Sequence, residues 1–370
     1  MKIKAAVLRE YEKPVSIEEI NLAPPKEKEV LVKTAYTGFC HSDFSFIMGD
    51  FKFPIPLVLG HEASGVVVDV GPGVTSVKKG DHVVTAWMCP CGQCPECASG
   101  QGHICRKSHE WHGAGSLMDM TSRLSDSKGN RLNHQTLVSG FAEYMVIPEI
   151  GAIKIRDDMP LDQACFLSCC LPTGFGAVYN AAGVKPGDSV AIWGMGGIGL
   201  NVVQGAKLRS AYPIIAIDLE GSKEAVAKEF GATRFINNSK QDPVPIIQEL
   251  TGGGAKYCFE AIGDPGAIVQ ASWALGLGGT LIQIGITPET VMTGLPLAYT
   301  PPHCKSVKGT LYGNIRTHED IPTFADMAMK GDFNLAKLIS KKFKVEEINK
   351  VVEAMKKRQI IGRWVCEWGK

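Results

Sequence analysis

Four cysteines in one short segment have the spacing of a metal site. Cys91, Cys94 and Cys97 are each separated by two residues, and Cys105 follows shortly after. Four thiolates on one such excursion of the chain can surround a tetrahedral Zn²⁺, and four protein ligands leave no coordination position for a substrate. The segment therefore predicts a structural zinc site, with reduced free thiols as the alternative. Cys89 lies just outside this spacing, so it could be mistaken for a ligand and is not counted as one.

A glycine-rich turn predicts a dinucleotide site. Residues 194–199 read GMGGIG, follow the apolar run SVAIW and precede LNVVQGAKLR, which is typical of a helix. Glycines permit the tight turn and let the backbone approach a pyrophosphate at the helix N-terminus. Asp218 ends the next predicted strand, where a carboxylate accepts hydrogen bonds from ribose hydroxyls and disfavours a 2′-phosphate. The pattern favours NAD over NADP, and a flexible loop with a chance aspartate is the alternative. The predicted contacts are Gly194, Gly196, Gly197, Ile198, Gly199 and Asp218.

The surrounding sequence indicates two kinds of domain. Up to about residue 150, short alternating runs such as VLVKTAY, SGVVVDVG and DHVVTAW predict the strands of an antiparallel barrel. From about residue 175, apolar strands alternate with helices, which is typical of a doubly wound parallel sheet. The predicted strands are 189–193, 214–218, 234–236, 257–260 and 280–284, and the helices 198–209, 223–230, 244–250 and 267–275. IPTFADMAMK and EEINKVVEAMKKR are predicted helices, and RWVCEW is a closing strand expected to return to the first domain.

Composition narrows the class of protein. A chain of 370 residues suits two domains, and a net charge of +1 gives no electrostatic basis for binding nucleic acid. The N-terminus lacks the apolar core of a signal peptide, and no apolar run is long enough to span a membrane, so we expect a cytoplasmic protein. In that compartment, closely spaced cysteines are metal ligands or catalytic groups more often than disulfides.

Further candidate residues are dispersed along the chain. Cys40, His41, Ser42 and Asp43 follow a predicted strand, His61 and Glu62 follow a turn, and Cys169 precedes the dinucleotide half. Taken singly, Cys169 is most simply a buried helix cysteine and His61 a loop histidine. The residues alone do not join these positions into one site.

Over effectively its whole length, the chain resembles the zinc-containing medium-chain alcohol dehydrogenases. GFCHSD, Gly-His-Glu at 60–62, the four-cysteine segment, the GMGGIG turn and Asp218 occur in the family's order and spacing. Residues 108–140 resemble the long loop of the dimeric liver-type and glutathione-dependent formaldehyde-type branches. The resemblance implies a GroES-like barrel domain (1–170 and 314–370, with the zinc lobe at about 88–106) and a Rossmann NAD-binding domain (171–313). It implies an active site in the cleft between them.

The resemblance also assigns roles to residues. Cys40, His61 and Cys169 would bind a catalytic zinc, the second of two zinc ions per chain. Asp43 matches the residue that hydrogen-bonds the zinc histidine, and Glu62 one that approaches the metal. Ser42 matches the hydroxyl of the proton relay, and Ser45 replaces the histidine that continues the relay in many relatives. Cofactor contacts are implied for His41 and Arg363 at the pyrophosphate and Lys223 at the ribose. The implied substrate pocket contains Phe44, Trp87 and Ile286.

The predicted function is transfer of a hydride between a primary alcohol and NAD. Primary alcohols are favoured over bulky secondary ones because a tryptophan close to zinc narrows the inner part of the substrate pocket. Aromatic and allylic alcohols are included in this prediction. The alternatives are a related zinc dehydrogenase of a polyol, a glutathione–formaldehyde adduct or a cyclic alcohol. A non-catalytic NAD-binding zinc protein and a zinc-ribbon nucleic-acid binder are alternatives from other classes. We expect a homodimer that joins edge strands near Ser306–Gly313, with no nucleic-acid or membrane partner.

Overall fold

The computed structural model describes residues 1–369, which form two compact units. The barrel unit consists of Met1–Cys169 together with the chain from Arg316 onwards, and the parallel-sheet unit is Cys170–Ile315. The predicted fold class, a GroES-like β-barrel domain plus a Rossmann-type doubly wound parallel sheet, is confirmed by the two sheet systems described below.

The strands and helices are numbered in chain order. The strands are β1 Lys2–Leu8, β2 Ser16–Leu22, β3 Glu29–Gly38, β4 Leu57–Val58, β5 Glu62–Val70, β6 His82–Thr85, β7 Leu124–Ser125, β8 Arg131–His134, β9 Tyr144–Pro148, β10 Ala152–Lys154, β11 Val190–Trp193, β12 Ile214–Asp218, β13 Arg234–Asn237, β14 Ala255–Glu260, β15 Leu275–Gln283, β16 Ser306–Gly309, β17 Ile339–Phe343 and β18 Arg363–Glu367. The α-helices are α1 His41–Met48, α2 Pro95–Ala98, α3 Arg106–Gly113, α4 Leu161–Ala164, α5 Cys170–Gly176, α6 Gly197–Leu208, α7 Glu224–Phe230, α8 Pro243–Thr251, α9 Pro265–Trp273, α10 Thr317–Met329 and α11 Ile348–Lys356.

Two strand systems build the barrel unit. Strands β1, β2, β7, β8 and β4 close into a barrel, and a second sheet has the order β10-β6-β5-β3-β18-β17, with β9 also paired to β3. The C-terminal strand β18 runs antiparallel to β3, with Val365 opposite Gly38. Candidate ligands lie just beyond strand ends in this sheet, since α1 follows β3 and His61 immediately precedes β5.

The parallel-sheet unit has the strand order β13-β12-β11-β14-β15-β16, and all of its pairs are parallel. The direction of winding changes between β11 and β14, and ligands of such sheets bind at the carboxyl ends of strands beside this switch point. The strands read as continuous apolar runs because helices cover both faces. Buried Ala191, Ile215 and Cys258 lie in one core cluster with Ala271 of α9.

One predicted boundary in this unit is wrong. The predicted helix 267–275 ends at Trp273, and β15 begins at Leu275 instead of near residue 280. The segment LGLGG is an irregular part of the strand, with a shift of register opposite Ala255–Tyr257 and a positive φ of 65° at Gly278. Glycines in such a segment mark a bulge rather than the end of the strand.

Within residues 1–369, no single helix has the length and apolar character required to cross a membrane, whereas the bent pair Leu161–Ser168 and Cys170–Ala182 meets the length and composition criteria jointly.

Candidate active site and metal centres

Helix α1 holds the first group of candidate residues in a fixed arrangement at its start. Cys40 is the N-cap residue, and the carboxylate of Asp43, three positions later, accepts the Cys40 backbone N–H at 2.9 Å. The Cys40 side chain faces the backbone N–H of Asp43, so the two residues form a reciprocal capping box. Helix capping therefore fixes a thiol and a carboxylate on one rigid turn.

His61 meets this turn through its Nδ1 atom. The ring is 4% exposed, and Nδ1 lies 3.0 Å from Asp43 Oδ1. A carboxylate on one ring nitrogen fixes the tautomer and orientation of an imidazole and increases the basicity of the other nitrogen. The arrangement therefore leaves Nε2 of His61, and not Nδ1, to bind a metal. This agrees with the role that the resemblance implies for Asp43, which is to hydrogen-bond the zinc histidine.

Cys169 lies at a break between a 3₁₀ helix, Cys165–Ser168, and α5, with φ −150° and ψ −71°. It is therefore not an ordinary helix cysteine, because its backbone departs from helical geometry while its neighbours on both sides keep it. The ligand atoms of Cys40, His61 and Cys169 all lie within 4.8 Å of one another. Residues that are 21 and 108 positions apart in the sequence thus meet at one buried place.

The chemistry of these three donors fits Zn²⁺. The hydrogen bond with Cys169 lowers the pKa of the Cys40 thiol well below its usual value, although burial opposes this, and the Arg363 guanidinium lowers it further. The thiolate is the metal-binding form of cysteine. Two thiolates and one imidazole are a typical donor set for a zinc site with one position left for water or substrate.

Ser42 and Ser45, one turn apart on α1, differ in their surroundings. Ser42 is partly exposed, and its Oγ lies 3.8 Å from Cys40 Sγ, so its hydroxyl is adjacent to the candidate ligands. Ser45 is only 6% exposed. Ser45 lies on the buried side of α1 with Phe46 and Ile47, and its predicted place in the proton relay stays a prediction.

Glu62 and Arg363 form a buried ion pair beside the same thiol. Arg363 Nε donates to Glu62 Oε2 at 3.2 Å, and a terminal guanidinium nitrogen lies 3.5 Å from Cys40 Sγ. The Glu62 side chain is fully buried, and that of Arg363 is 6% exposed. In this structure the charge of Arg363 is directed to Glu62 and to a candidate ligand, and its predicted contact with a cofactor pyrophosphate stays a prediction.

Two aromatic residues lie near the candidate ligands. The Trp87 ring stands edge-on to His61, with centroids 6.4 Å apart, and His112 Nε2 lies 2.7 Å from the Trp87 carbonyl oxygen. Burial lowers the pKa of His112 to about 4, so this ring is neutral and can donate one N–H to that carbonyl. Phe44 of α1 is partly buried, with its ring 5.4 Å from that of exposed His41.

The four-cysteine segment also forms a compact ligand group. The sulfur atoms of Cys91, Cys94, Cys97 and Cys105 all lie within 4.8 Å of one another. Burial opposes ionisation of Cys91, but hydrogen bonds from the backbone N–H groups of Gln93 and Cys94 and with the Cys105 and Cys94 thiols together lower its pKa to about 7. Cys89 is not among the sulfur atoms that lie within 4.8 Å of one another, and its thiol donates to the Ala86 carbonyl. Cys89 therefore stands outside the ligand group.

The glycine turn has the steric features of a dinucleotide loop. Gly194 adopts a positive φ of 92°, and a Cβ at Gly199 would lie 1.7 Å from the Gly194 carbonyl oxygen. In contrast, nothing lies within 4 Å of the Cβ position of Gly196, which caps α6. The turn is therefore closed towards its own helix and open at Gly196, where a phosphate would approach the helix N-terminus.

Asp218 connects this turn to the next strand. Its Oδ2 accepts the Met195 N–H at 2.7 Å and the Lys223 ammonium at 3.0 Å, and its Oδ1 accepts the Glu220 N–H at 2.9 Å. Lys223 is thus beside the position predicted for the adenosine ribose. The pairing partly compensates the Asp218 charge, so this carboxylate repels a 2′-phosphate less than an unpaired one would.

Comparisons with known proteins identify the family. Residues 26–157 match the alcohol dehydrogenase GroES-like domain, and residues 197–330 match the zinc-binding dehydrogenase domain. The S-(hydroxymethyl)glutathione dehydrogenase of Synechocystis sp. is 39% identical over 96% of this chain and 97% of its own length. The alcohol dehydrogenase class-3 of Cereibacter sphaeroides has the same identity and coverage. The chain belongs to the zinc-containing medium-chain alcohol dehydrogenases.

Solved structures agree with this family membership. A zinc-binding alcohol dehydrogenase domain protein from Burkholderia ambifaria superposes over the whole of both chains with a TM-score of 0.95 and 33% identity. Benzyl alcohol dehydrogenase from Acinetobacter calcoaceticus does so with a TM-score of 0.92 and 31% identity. This member of the alcohol dehydrogenase family is therefore an oxidoreductase, and the non-catalytic and nucleic-acid-binding alternatives are not supported.

Two buried residues of this alcohol dehydrogenase were missed by the sequence analysis. Gln135 lies 2.7 Å from Asp43 Oδ1 and 3.1 Å from His61 Nδ1. Glu260, at the carboxyl end of β14, accepts the N–H groups of Ile262 and Gly263 through Oε1, and burial raises its pKa. Neither residue belongs to a motif, because the partners of Gln135 are 74 to 92 positions away and Glu260 ends an ordinary apolar strand.

Ile286, the third residue predicted for the substrate pocket, is 58% exposed in the parallel-sheet unit. It follows β15, and its backbone would block any Cβ at Gly263. Its predicted contact with substrate stays a prediction.

Proposed function

We propose that this alcohol dehydrogenase uses zinc and NAD to interconvert primary alcohols, including aromatic and allylic ones, with their aldehydes. The observation that carries the proposal is the convergence of Cys40, His61 and Cys169, with Asp43 fixing the histidine. Trp87 beside His61 supports preference for slim or flat substrates, because its edge-on ring occupies space next to the candidate ligands. The 31% identity to a benzyl alcohol dehydrogenase also favours an aromatic alcohol.

Two groups of residues would hold the two zinc ions. Cys40, His61 and Cys169 would hold the catalytic zinc, and the four cysteines from Cys91 to Cys105 a structural zinc. Zn²⁺ supplies Lewis acidity that lowers the pKa of an alcohol, and NAD supplies the hydride acceptor. Per turnover, the alcohol loses a hydride to NAD⁺ and one proton, giving an aldehyde, NADH and H⁺.

Ser42 would take the proton from the alcohol hydroxyl. Its Oγ lies beside Cys40 Sγ at the start of α1, so a substrate oxygen near the three ligands is within reach of it. A hydroxyl can accept this proton while donating its own to a second acceptor, which makes it a relay rather than a final base. From Ser42 the proton would go to the cofactor ribose or to water.

The cofactor proposal rests on the turn and on Asp218. Open space at Gly196 and the N-terminus of α6 suit a pyrophosphate, with His41 and Arg363 as proposed further contacts. Asp218 and Lys223 form a paired acceptor and donor at the proposed ribose position. This arrangement supports NAD, because two ribose hydroxyls satisfy the carboxylate better than a phosphate would.

A second candidate substrate is S-(hydroxymethyl)glutathione. It is favoured by the 39% identity, over nearly the whole chain, to a dehydrogenase named for that compound. The chemistry at the reacting carbon is the same, since the adduct of formaldehyde and glutathione is also a primary alcohol. The two candidate substrates therefore require different pockets beyond the metal, whereas both require the same metal ligands and the same proton relay.

We also propose that the enzyme is a homodimer joined through β16. This strand is one of the two edges of the six-stranded sheet, and all four of its residues are exposed. Edge strands leave backbone donors and acceptors available for pairing with a second chain.

Metal analysis and an NAD-reduction assay test the proposal together. We expect two zinc ions per chain, with turnover of benzyl alcohol and other primary alcohols in the presence of NAD. His61→Ala should retain one zinc and the fold but lose turnover, because it removes one of only three proposed catalytic ligands. One zinc per wild-type chain, or a His61→Ala enzyme with native turnover, would refute the metal assignment.

The same assay separates the two substrate candidates. We expect a higher kcat/KM for benzyl alcohol than for formaldehyde premixed with glutathione. The reverse order, together with loss of activity when glutathione alone is omitted, would assign the second candidate.

A further inference from the structure

Gln135 is a fully buried amide directly behind the candidate metal ligands. It follows β8, and its side chain reaches three groups at once. Nε2 lies 2.7 Å from Asp43 Oδ1 and 3.1 Å from His61 Nδ1, and Oε1 accepts the Gly60 N–H at 2.6 Å. All of these partners belong to the segments that carry Cys40 and His61.

The donors and acceptors around the Gln135 side chain are consistent with one orientation of its amide. If His61 binds metal through Nε2, Nδ1 carries a proton and donates it to Asp43 Oδ1. The Gln135 amide then donates one N–H to the same Oδ1 atom, and its contact with His61 Nδ1 is a close approach of two donors. Asp43 Oδ2 accepts the Cys40 N–H at 2.9 Å. Both carboxylate oxygens are thereby used, and the carboxylate cannot rotate without breaking a bond.

The other end of the amide fixes the backbone just before His61. Gly60 has a positive φ of 103°, and a Cβ there would lie 2.4 Å from the Phe141 nitrogen, so the chain is tightly confined. Gly140 N–H donates to the Gly60 carbonyl at 2.8 Å. The segment that begins at Gln135 therefore holds both the N–H and the carbonyl of Gly60.

The backbone after Gln135 is strained. Thr136, Leu137 and Ser139 adopt positive φ values of 49°, 63° and 62°. Such conformations cost about 1–3 kcal/mol each for non-glycine residues and occur where surrounding structure over-determines them, often at functional sites. The strained residues directly follow Gln135, whose amide contacts both Asp43 and the Gly60 backbone.

We propose that Gln135 is a positioning residue for the catalytic metal site, where it locks Asp43 and the backbone of His61 so that Nε2 points at the position shared with Cys40 and Cys169. The proposal rests on the proposed function, because it needs those three residues to bind zinc. It adds a residue whose side chain acts through Asp43 and Gly60 and touches neither substrate nor cofactor.

A purely structural role is the competing explanation, and Asn133 provides the matched control. Asn133 lies on β8, two residues before Gln135, is 8% exposed and donates its amide to the Pro56 carbonyl at 3.0 Å. Within residues 1–369, no hydrogen bond joins its side chain to a candidate ligand. Asn133→Leu and Gln135→Met each remove one buried amide and keep the approximate shape, so only the second should affect the catalytic metal.

The test measures metal affinity at each site by competition with a chelator, with zinc content per chain and thermal unfolding recorded in parallel. Gln135→Met should bind zinc at the catalytic site about 10–100-fold more weakly, the range that is typical when a hydrogen-bonding residue around the ligands of a metal site is lost. The visible spectrum of the cobalt-substituted catalytic site should change as well. Zinc in the four-cysteine lobe should be unaffected, and Asn133→Leu should resemble wild type in both metal readouts.

Several outcomes would overturn the proposal. Native catalytic-site affinity and an unchanged cobalt spectrum in Gln135→Met, with or without lower thermal stability, would leave Gln135 a structural residue. Equal metal loss in Asn133→Leu would do the same. If Gln135→Met does not fold, Gln135→Asn, whose shorter amide cannot span Asp43 and Gly60, should show the same selective weakening. Wild-type protein with a single zinc would instead refute the proposed function.

Discussion

At the residue scale, the two serines of α1 give the most direct test of proton transfer. Ser42→Ala should lower kcat by about two to four orders of magnitude, which is the usual contribution of a general acid–base step. Ser45→Ala should lose about tenfold or less, because no side-chain hydrogen bond joins Ser45 to the ligand group in the part of the chain that the structure describes, whereas Ser42 Oγ adjoins Cys40 Sγ. Steady-state oxidation of benzyl alcohol measures both.

The comparison of the two serines counts only when zinc content and NAD affinity are unchanged in each variant. Equal losses at Ser42 and Ser45, or near-native turnover without the Ser42 hydroxyl, would show that the proton leaves by another route, such as through His41.

Asp218 decides cofactor choice in the proposed mechanism. Asp218→Gly should lower kcat/KM for NAD by about 10–100-fold, since charge-assisted hydrogen bonds contribute about 1.5–3 kcal/mol. It should raise the relative activity with NADP, because Lys223, which now pairs with Asp218, becomes available to a 2′-phosphate. Glu220→Gln, on the same loop, is the control and should retain the wild-type preference. A wild-type enzyme with the higher kcat/KM for NADP would disprove the assignment.

Local motifs were predictable because one short segment carries all the required information. The four cysteines, the GMGGIG turn and Asp218 each have their partners within about 25 positions. Gln135 was not predictable, because its amide acts on residues brought close only by the barrel. The break at Cys169 and the burial of Ser45 also depend on packing, since neither residue type signals its backbone angle or its exposure.

At the element scale, the zinc lobe around α2 has little structure of its own. α2 has four residues, none of them buried, so we expect the segment to depend on a bound zinc for its order. Cys94→Ser should lower the thermal stability of the protein and release one zinc, while His61→Ala releases the other zinc and preserves the fold. Thermal unfolding with metal analysis measures this contrast. A stably folded Cys94→Ser protein with both zinc ions would contradict it.

The barrel contains a histidine that makes its stability sensitive to acid. His134, 1% exposed on β8, accepts the Arg123 N–H at Nε2, and its Nδ1 lies 3.2 Å from Ser139 Oγ. Burial and the nearby Arg123 and Arg131 lower its pKa to about 3, while Asp119 opposes the shift. The unfolded pKa is about 6.5, so this contribution to stability is complete above that pH and is lost as the pH falls towards 3.

His134→Gln should therefore reduce the fall in the free energy of unfolding between pH 7 and pH 5 by about 2 kcal/mol, at 1.36 kcal/mol per pH unit below 6.5. Urea unfolding at the two pH values measures it. Asn133→Leu, which removes a buried side chain of β8 that does not titrate, is the control and should leave the pH dependence as it is. The same acid sensitivity in His134→Gln and wild type would contradict the assignment.

Strand–helix alternation predicted the elements of the parallel sheet because the two periods of apolar residues are distinct. The exception was β15, where glycines in LGLGG indicated a loop but form part of an irregular strand. Pairing with β14 on one side and β16 on the other stabilises that strand, and neither partner is visible in its local sequence.

At the scale of the whole molecule, one chain supplies two units, and the barrel unit is discontinuous. The second passage of the chain contributes β18, which pairs with β3 immediately before Cys40, and Arg363 at the start of β18 contacts Cys40 and Glu62. The candidate metal site is therefore completed by residues more than 300 positions apart. The sequence pattern predicted two domains and the return of RWVCEW to the first one, whereas the contacts of Arg363 with Glu62 and Cys40 were not predicted.

Association of two chains through β16 would pair one exposed edge strand with its copy. The strand pairs with β15 on one side only, its four residues are exposed, and Val307 is 46% exposed. Two such edges can pair around a two-fold axis, which satisfies backbone groups of both chains and closes the assembly at two copies. Light scattering should therefore give the mass of two chains. Val307→Lys should shift the protein towards one chain, because a charge on an edge strand opposes pairing with a like edge. Tyr212→Lys, which changes a 67% exposed aromatic residue next to β12, is the control and should remain dimeric. A wild-type mass of one or four chains, or an undisturbed dimer in Val307→Lys, would exclude this edge as the site of association.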